Sequence, residues 1–110
     1  MKKTKMPLEQ VMNSKNIHFN EPGDTFVDHV YRVIMRNKSS INCMDDLKNM
    51  TYEQLLAFYM SGPKILACIV VICKHYGVNL IPEFGKKKPN EINKIKKHIE
   101  EISKTLIFES

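Results

Sequence analysis

The sequence predicts an all-α fold, a compact bundle of four to five short helices with an amphipathic helix at the C-terminal end. Three observations carry that expectation. Apolar residues recur at helical spacing around Phe26–Arg36 and Ile92–Leu106, and no segment shows convincing period-two alternation. Between them lies a run of nine apolar residues, Ile65–Cys73, bounded by helix start and stop signals. With 110 residues, 43% hydrophobic and 26% charged, the chain suits one domain and one modest core.

Pro7–Met12 can form a short helix with Pro7 at its first position, where a missing N–H costs nothing. "NEPGD" (20–24) is a loop. From Phe26 the spacing Phe26, Val30, Val33 and Ile34 marks one helical face ending near Arg36, and "RNKSS" breaks it. Asn42 is placed to cap a short turn of helix, its side chain accepting near Asp45, with Met44 and Leu47 facing inward. Thr51-Tyr-Glu-Gln54 has the spacing of a capping box and opens a helix expected to stop at Ser61-Gly62. Pro63 then starts another, running to about Tyr76, with Gly77 where a C-terminal cap needs positive φ. Because residues 65–73 are apolar on every face, this helix is expected at the centre of the bundle. Pro82 and "GKKKPN" make a basic connector, and a last helix spans about Asn90–Leu106 with Ile92, Ile95, Ile99, Ile102 and Leu106 on one stripe. The expected organisation is an extension (1–22), a helical domain (23–81), and a connector with the C-terminal helix (82–110).

The apolar run is about half of the roughly 20 residues a bilayer span needs, and Lys74 and His75 close it. No membrane association is expected. The N-terminus is basic but lacks the long apolar centre of a secretory signal. The three cysteines include no Cys-x-x-Cys pair, and the histidines fit no zinc spacing, so no metal or other cofactor is expected. Reduced cysteines point to an intracellular, cytoplasmic setting. No enzyme is expected either. Asp45 and Asp46 are adjacent and diverge on a helix, Asp24, Asp28 and His29 suit a helix start, and no Gly-rich phosphate loop is present.

Net charge is +5, carried at the ends. Residues 1–20 have a net charge of +3, residues 21–80 of zero and residues 81–110 of +2. Such ends favour polyanions, and they equally serve solubility.

Two helices joined at Ser61-Gly62, the second opening with Pro63-Lys64, make a helix-hairpin-helix candidate. In that reading Gly62 turns the chain with positive φ, and the next helix presents free N–H groups and its positive dipole end. Lys64 adds charge at the same end, and the site would hold a phosphate by position rather than by base sequence. The plainer alternative is a Gly-Pro turn between two core helices, with a solvated Lys64.

From Phe26 to Leu80 the chain resembles the C-terminal domain of the bacterial RNA polymerase α subunit. The resemblance rests on Ile41-Asn42, Asp46-Leu47, Thr51 with Leu55-Leu56, Gly62-Pro63-Lys64, Ile69 and Gly77, in matching order and spacing over half the chain. It implies a helix-hairpin-helix fold, binding in the DNA minor groove and contact with transcription proteins. Of the family's DNA-binding positions, Gly62 and Lys64 match, whereas its turn Ser falls on Ile65. Its helical Arg falls at Val30 or Tyr31, and its Asn at Val33 or Ile34. The expected function is thus a non-catalytic DNA-binding or transcription-associated accessory protein, free-standing on grounds of length. Gly62 and Lys64 would sit at a phosphate, Arg32 and Arg36 would flank it, and Lys86, Lys87 and Lys88 would add nonspecific attraction. The alternative is a protein-interaction module using the same scaffold. Its partner, or a second copy, would dock on the C-terminal helix or near Tyr31 and Tyr59.

Overall fold

The computed structural model describes residues 2–109, which form five α-helices and are all-α in class. The helices are α1 (Leu8–Val11), α2 (Phe26–Asn37), α3 (Tyr52–Leu56), α4 (Pro63–His75) and α5 (Pro89–Thr105). Short 3₁₀ turns occupy Lys3–Lys5 and Met44–Leu47. The Cα radius of gyration is 13.1 Å. A packed domain of this size has about that value.

α4 is the centre of the bundle, as its composition requires. Every residue from Ile65 to Cys73 is buried, and α2, α3 and α5 all pack against it. Its end is set by Gly77, which adopts φ +74° while its N–H donates to the Lys74 carbonyl and that of Val78 to the Cys73 carbonyl. This is the Schellman pattern, and it uses two carbonyls the helix leaves over. A Cβ at Gly77 would meet nothing within 4 Å. Gly77→Ala should therefore cost only the backbone penalty of the left-handed region, about 1–2 kcal/mol. Urea unfolding should show a lower midpoint with an unchanged slope; a change in slope would point to lost packing instead.

The capping box at α3 forms as its spacing predicts. Thr51 N–H donates to Gln54 Oε1 (2.9 Å) and Gln54 N–H to Thr51 Oγ1 (3.0 Å). The next two donors of that helix are satisfied from elsewhere. Tyr52 N–H reaches the Ile81 carbonyl and Glu53 N–H the Glu83 carbonyl, because residues 79–83 run parallel to residues 49–53. Chain leaving α4 thus completes the start of α3.

Three local expectations are corrected. α3 stops at Leu56, five residues short of Ser61, because the Asn37 side chain takes Tyr59 out of helical pairing. Asn37 Oδ1 accepts from Tyr59 N (2.6 Å), and Asn37 Nδ2 donates to the Tyr59 carbonyl (2.9 Å). Gly62 is extended, with φ −164°; the left-handed residue of this turn is Met60, at φ +70°. Third, the 3₁₀ turn is preceded by Cys43, and its cap runs in reverse. Asp46 Oδ2 accepts from the N–H groups of Asn42 (2.8 Å) and Cys43 (3.2 Å).

The stripe on α5 folds back onto α4, with Ile95, Ile102 and Leu106 buried and Ile92 and Ile99 half-buried. Leu8, Val11, Met12 and Ile17 join the same core from the N-terminal end. Beyond α5 the chain pairs with this N-terminal segment, β1 (Ile17–His18) lying antiparallel to β2 (Ile107–Phe108). Two residues per strand are too few to produce alternation, so the sequence carries no sign of this clasp. His18 closes it from the side. Its Nδ1 lies 3.1 Å from the Phe19 carbonyl and its Nε2 2.9 Å from Glu109 Oε1.

Only the imidazolium can donate to both acceptors at once. The Phe19 carbonyl, and then the Glu109 carboxylate, accordingly raise the His18 pKa above 6.5, with smaller help from the charges of Glu109 and Asp24 and against a desolvation cost. A raised pKa in the folded state gives stability that is fully present below pH 6.5 and lost as pH rises through the folded value. Glu109→Gln should therefore lower the urea midpoint at about pH 5.5 and leave it nearly unchanged at about pH 8.5. Equal losses at both would show that the pair does not titrate with folding.

Candidate functional site

The residues that position Lys64 begin far away in sequence. Asp24 accepts from Phe19 N–H through one carboxylate oxygen (2.6 Å) and from Phe26 N–H through the other (3.0 Å). It thereby holds the two rings at the start of α2 with centroids 5.9 Å apart. Lys64 Nζ sits over both, 4.6 Å from the Phe26 centroid and 5.6 Å from that of Phe19. Cation–π contact at these distances aims the ammonium group while leaving the side chain exposed. Lys64 is therefore seated on two rings, and it forms no ion pair among the described residues.

From Phe26 a line of residues continues along α2. The His29 ring lies 6.4 Å from that of Phe26. His29 then lines a depression of about 120 Å³ with Arg32, Val33, Arg36 and Met60. Arg32 and Arg36 are exposed and one helical turn apart, roughly 6 Å along the axis. Lys64, Arg32 and Arg36 thus lie along one band running from the start of α4 along α2, with the half-buried His29 between them and the Asp24 carboxylate at the Lys64 end. The other side of the band is the turn carrying Tyr59 and Met60, which are 68% and 55% exposed. Both are large apolar side chains that the core does not use.

The start of α4 is left open, in contrast to that of α3. No side chain caps it, and the N–H groups of Gly62, Lys64 and Ile65 meet no acceptor among the described residues. Ser61 Oγ beside them is buried and has no partner. Gly62 contributes through its backbone only.

Lys86, Lys87 and Lys88 are exposed but line a different groove, of about 410 Å³, with Glu53, Leu56, Phe84 and Glu91. Lys87 lies 3.8 Å from Glu91. Of the seven positions singled out in the sequence, Arg32 and Arg36 line one depression, Gly62 and Lys64 sit at the start of α4 with Lys64 over the rings at the start of α2, and these three lysines line another groove. The residues that sequence reasoning missed are His29, Met60 and the Phe19–Phe26 seat. The one signal for them was three aromatic or imidazole side chains close together near the start of α2. Their contact with Lys64 depends on a loop closed by Asp24.

Burial pushes the thiols of Cys68 and Cys73 up to about 12, so neither supplies a thiolate near neutral pH. Among the described residues no three His, Cys, Asp or Glu side chains converge on a point where a metal ion could be held. No helix among them is long and apolar enough to cross a membrane.

Comparison with known proteins returns no matching family model, no matching curated protein and no matching solved structure.

Proposed function

We propose that this chain is a non-catalytic DNA-binding protein that contacts the phosphate backbone through the α2–α4 face. The observation that carries the reading is the line of contacts that runs from Lys64 over Phe26 and His29 to the exposed Arg32 and Arg36. Phosphate contacts position a protein on DNA without reading sequence, and a band with an uncapped helix start suits that task. The resemblance to the polymerase α C-terminal domain supports the same reading and adds an accessory role in transcription. Val30, Val33 and Ile34 are buried and Tyr31 is half-buried, so α2 has neither an Arg nor an Asn where that family has them. Binding here is accordingly of the phosphate type.

The test is fluorescence anisotropy with a short labelled duplex across a salt series. Affinity should fall linearly in log–log salt, with a slope of about −0.9 per phosphate neutralised. Lys64→Glu should weaken binding about tenfold, roughly 1.4 kcal/mol, and make the slope shallower. Lys64→Gln, which removes the charge without reversing it, should fall between. Absence of binding to DNA at low salt, duplex and single strand alike, would sink the reading.

One observation favours a second reading, a protein-interaction module. Tyr, Met and Arg are enriched at protein interfaces; Met60, Arg32 and Arg36 line one depression, and the exposed Tyr59 precedes Met60 in the chain. The apolar stripe of α5 is spent on α4, so a partner or second copy would meet that helix only on its charged faces.

A further inference from the structure

Tyr59 and Met60 stand out of the turn for no reason of stability. Met60 adopts φ +70°, a conformation that L side chains rarely take, and both side chains face water. Strained backbone of this kind persists only where surrounding structure over-determines it. Here the Asn37 amide does so, pairing with both backbone groups of Tyr59 and also donating to the Val33 carbonyl (2.8 Å). An exposed aromatic ring is thereby carried by a clamped backbone rather than a mobile loop. It lies one residue from Met60, which lines the depression with Arg32 and Arg36.

An aromatic platform beside a basic track is what an unpaired strand needs. Its phosphates follow the charges, and a base lies flat on the ring. A duplex cannot use the ring in this way, because its base faces are covered by their neighbours in the stack. Val30, Val33 and Ile34 are turned into the core, which leaves the exposed Arg32 and Arg36 as the polar side chains that α2 brings to the depression. The exposed ring is thus a feature of this face that can distinguish paired from unpaired DNA.

We infer that this face prefers single-stranded DNA, with Tyr59 stacking on an unpaired base while Arg32, Arg36 and Lys64 hold the flanking phosphates. The inference rests on the backbone-contact reading above and specifies its substrate.

The test compares a short oligo(dT) strand with a mixed-sequence duplex of equal length, using wild type, Tyr59→Ala, Tyr59→Phe and Lys64→Glu. The wild type should bind the single strand at least tenfold more tightly than the duplex. Tyr59→Ala should weaken single-strand binding roughly 5- to 100-fold and leave duplex binding unchanged, since a stacked base is lost and no phosphate contact is. Tyr59→Phe keeps the ring and should keep the preference. Lys64→Glu should weaken both ligands. Because the Tyr59 contacts to Asn37 are made by its backbone, Tyr59→Ala should retain the wild-type circular dichroism and urea midpoint. Equal affinity for the two ligands, or equal weakening of both by Tyr59→Ala, overturns the inference while duplex binding and its salt slope keep the backbone-contact reading. Absence of binding to both ligands overturns the two together.

Discussion

Leu66→Ala is expected to destabilise the protein by about 2–5 kcal/mol, the range for truncating a buried leucine that leaves a cavity behind. Leu66 has no exposed surface, and its helix is enclosed by α2, α3 and α5. Little solvent or flexible loop is at hand to fill the space, which favours the upper part of that range. Domains of this size have only about 5–15 kcal/mol in total, so the loss should be visible as a large drop in urea midpoint. Ile92→Ala, a half-buried position at the outer end of the α5 stripe, should cost less than half as much. If both substitutions cost the same, or Leu66→Ala costs under about 1 kcal/mol, α4 is not the centre of the core.

The legibility of α4 has a physical basis. A helix apolar on all faces has one stable location, and its limits were written locally by Pro63 and Gly77. The α3 capping box was legible for the same reason, since both partners lie within one turn. The end of α3 was not, because Asn37 decides it from 22 residues away. Local signals at Ser61-Gly62 suggested a glycine-dependent turn. A side-chain amide on another helix instead moved the left-handed conformation to Met60 and left Gly62 extended. The β1–β2 clasp was equally hidden, being a tertiary contact between segments about 90 residues apart with no pattern of its own.

The candidate site divides along the same line. Lys64 was singled out by its place after the Gly62-Pro63 turn and by the family resemblance, and Arg32 and Arg36 by lying on the helix where that family has its Arg and Asn. What turns them into a band is the seating of Lys64 on Phe26 and Phe19, and that requires Asp24 to draw residue 19 against residue 26. Lys86, Lys87 and Lys88 show the opposite case. Three consecutive lysines are the most conspicuous charge run in the sequence, yet they line another groove, and Lys87 lies near Glu91.

That division sets the second large effect, the double reversal Arg32→Glu/Arg36→Glu. Both side chains are exposed, so stability should change by no more than about 0.5 kcal/mol from their loss of contact. A few tenths more are expected from Arg36, which lies in the last turn of α2 where a positive charge suits the dipole. Duplex affinity at low salt, by contrast, should fall about a hundredfold, roughly tenfold for each phosphate contact removed. The log–log salt slope should become shallower by about 1.8, two contacts at about 0.9 each. The triple variant Lys86→Glu/Lys87→Glu/Lys88→Glu carries a larger change of charge and acts as the control. Placed off the band, it should weaken binding less than the double variant does and leave the slope closer to wild type. If the lysine variant abolishes binding while the arginine variant retains it, the DNA contact belongs to the groove beside α5 and the α2–α4 face is free for another partner. Long-range attraction by net charge would instead make the two variants rank by the number of charges reversed, three against two, with no dependence on position.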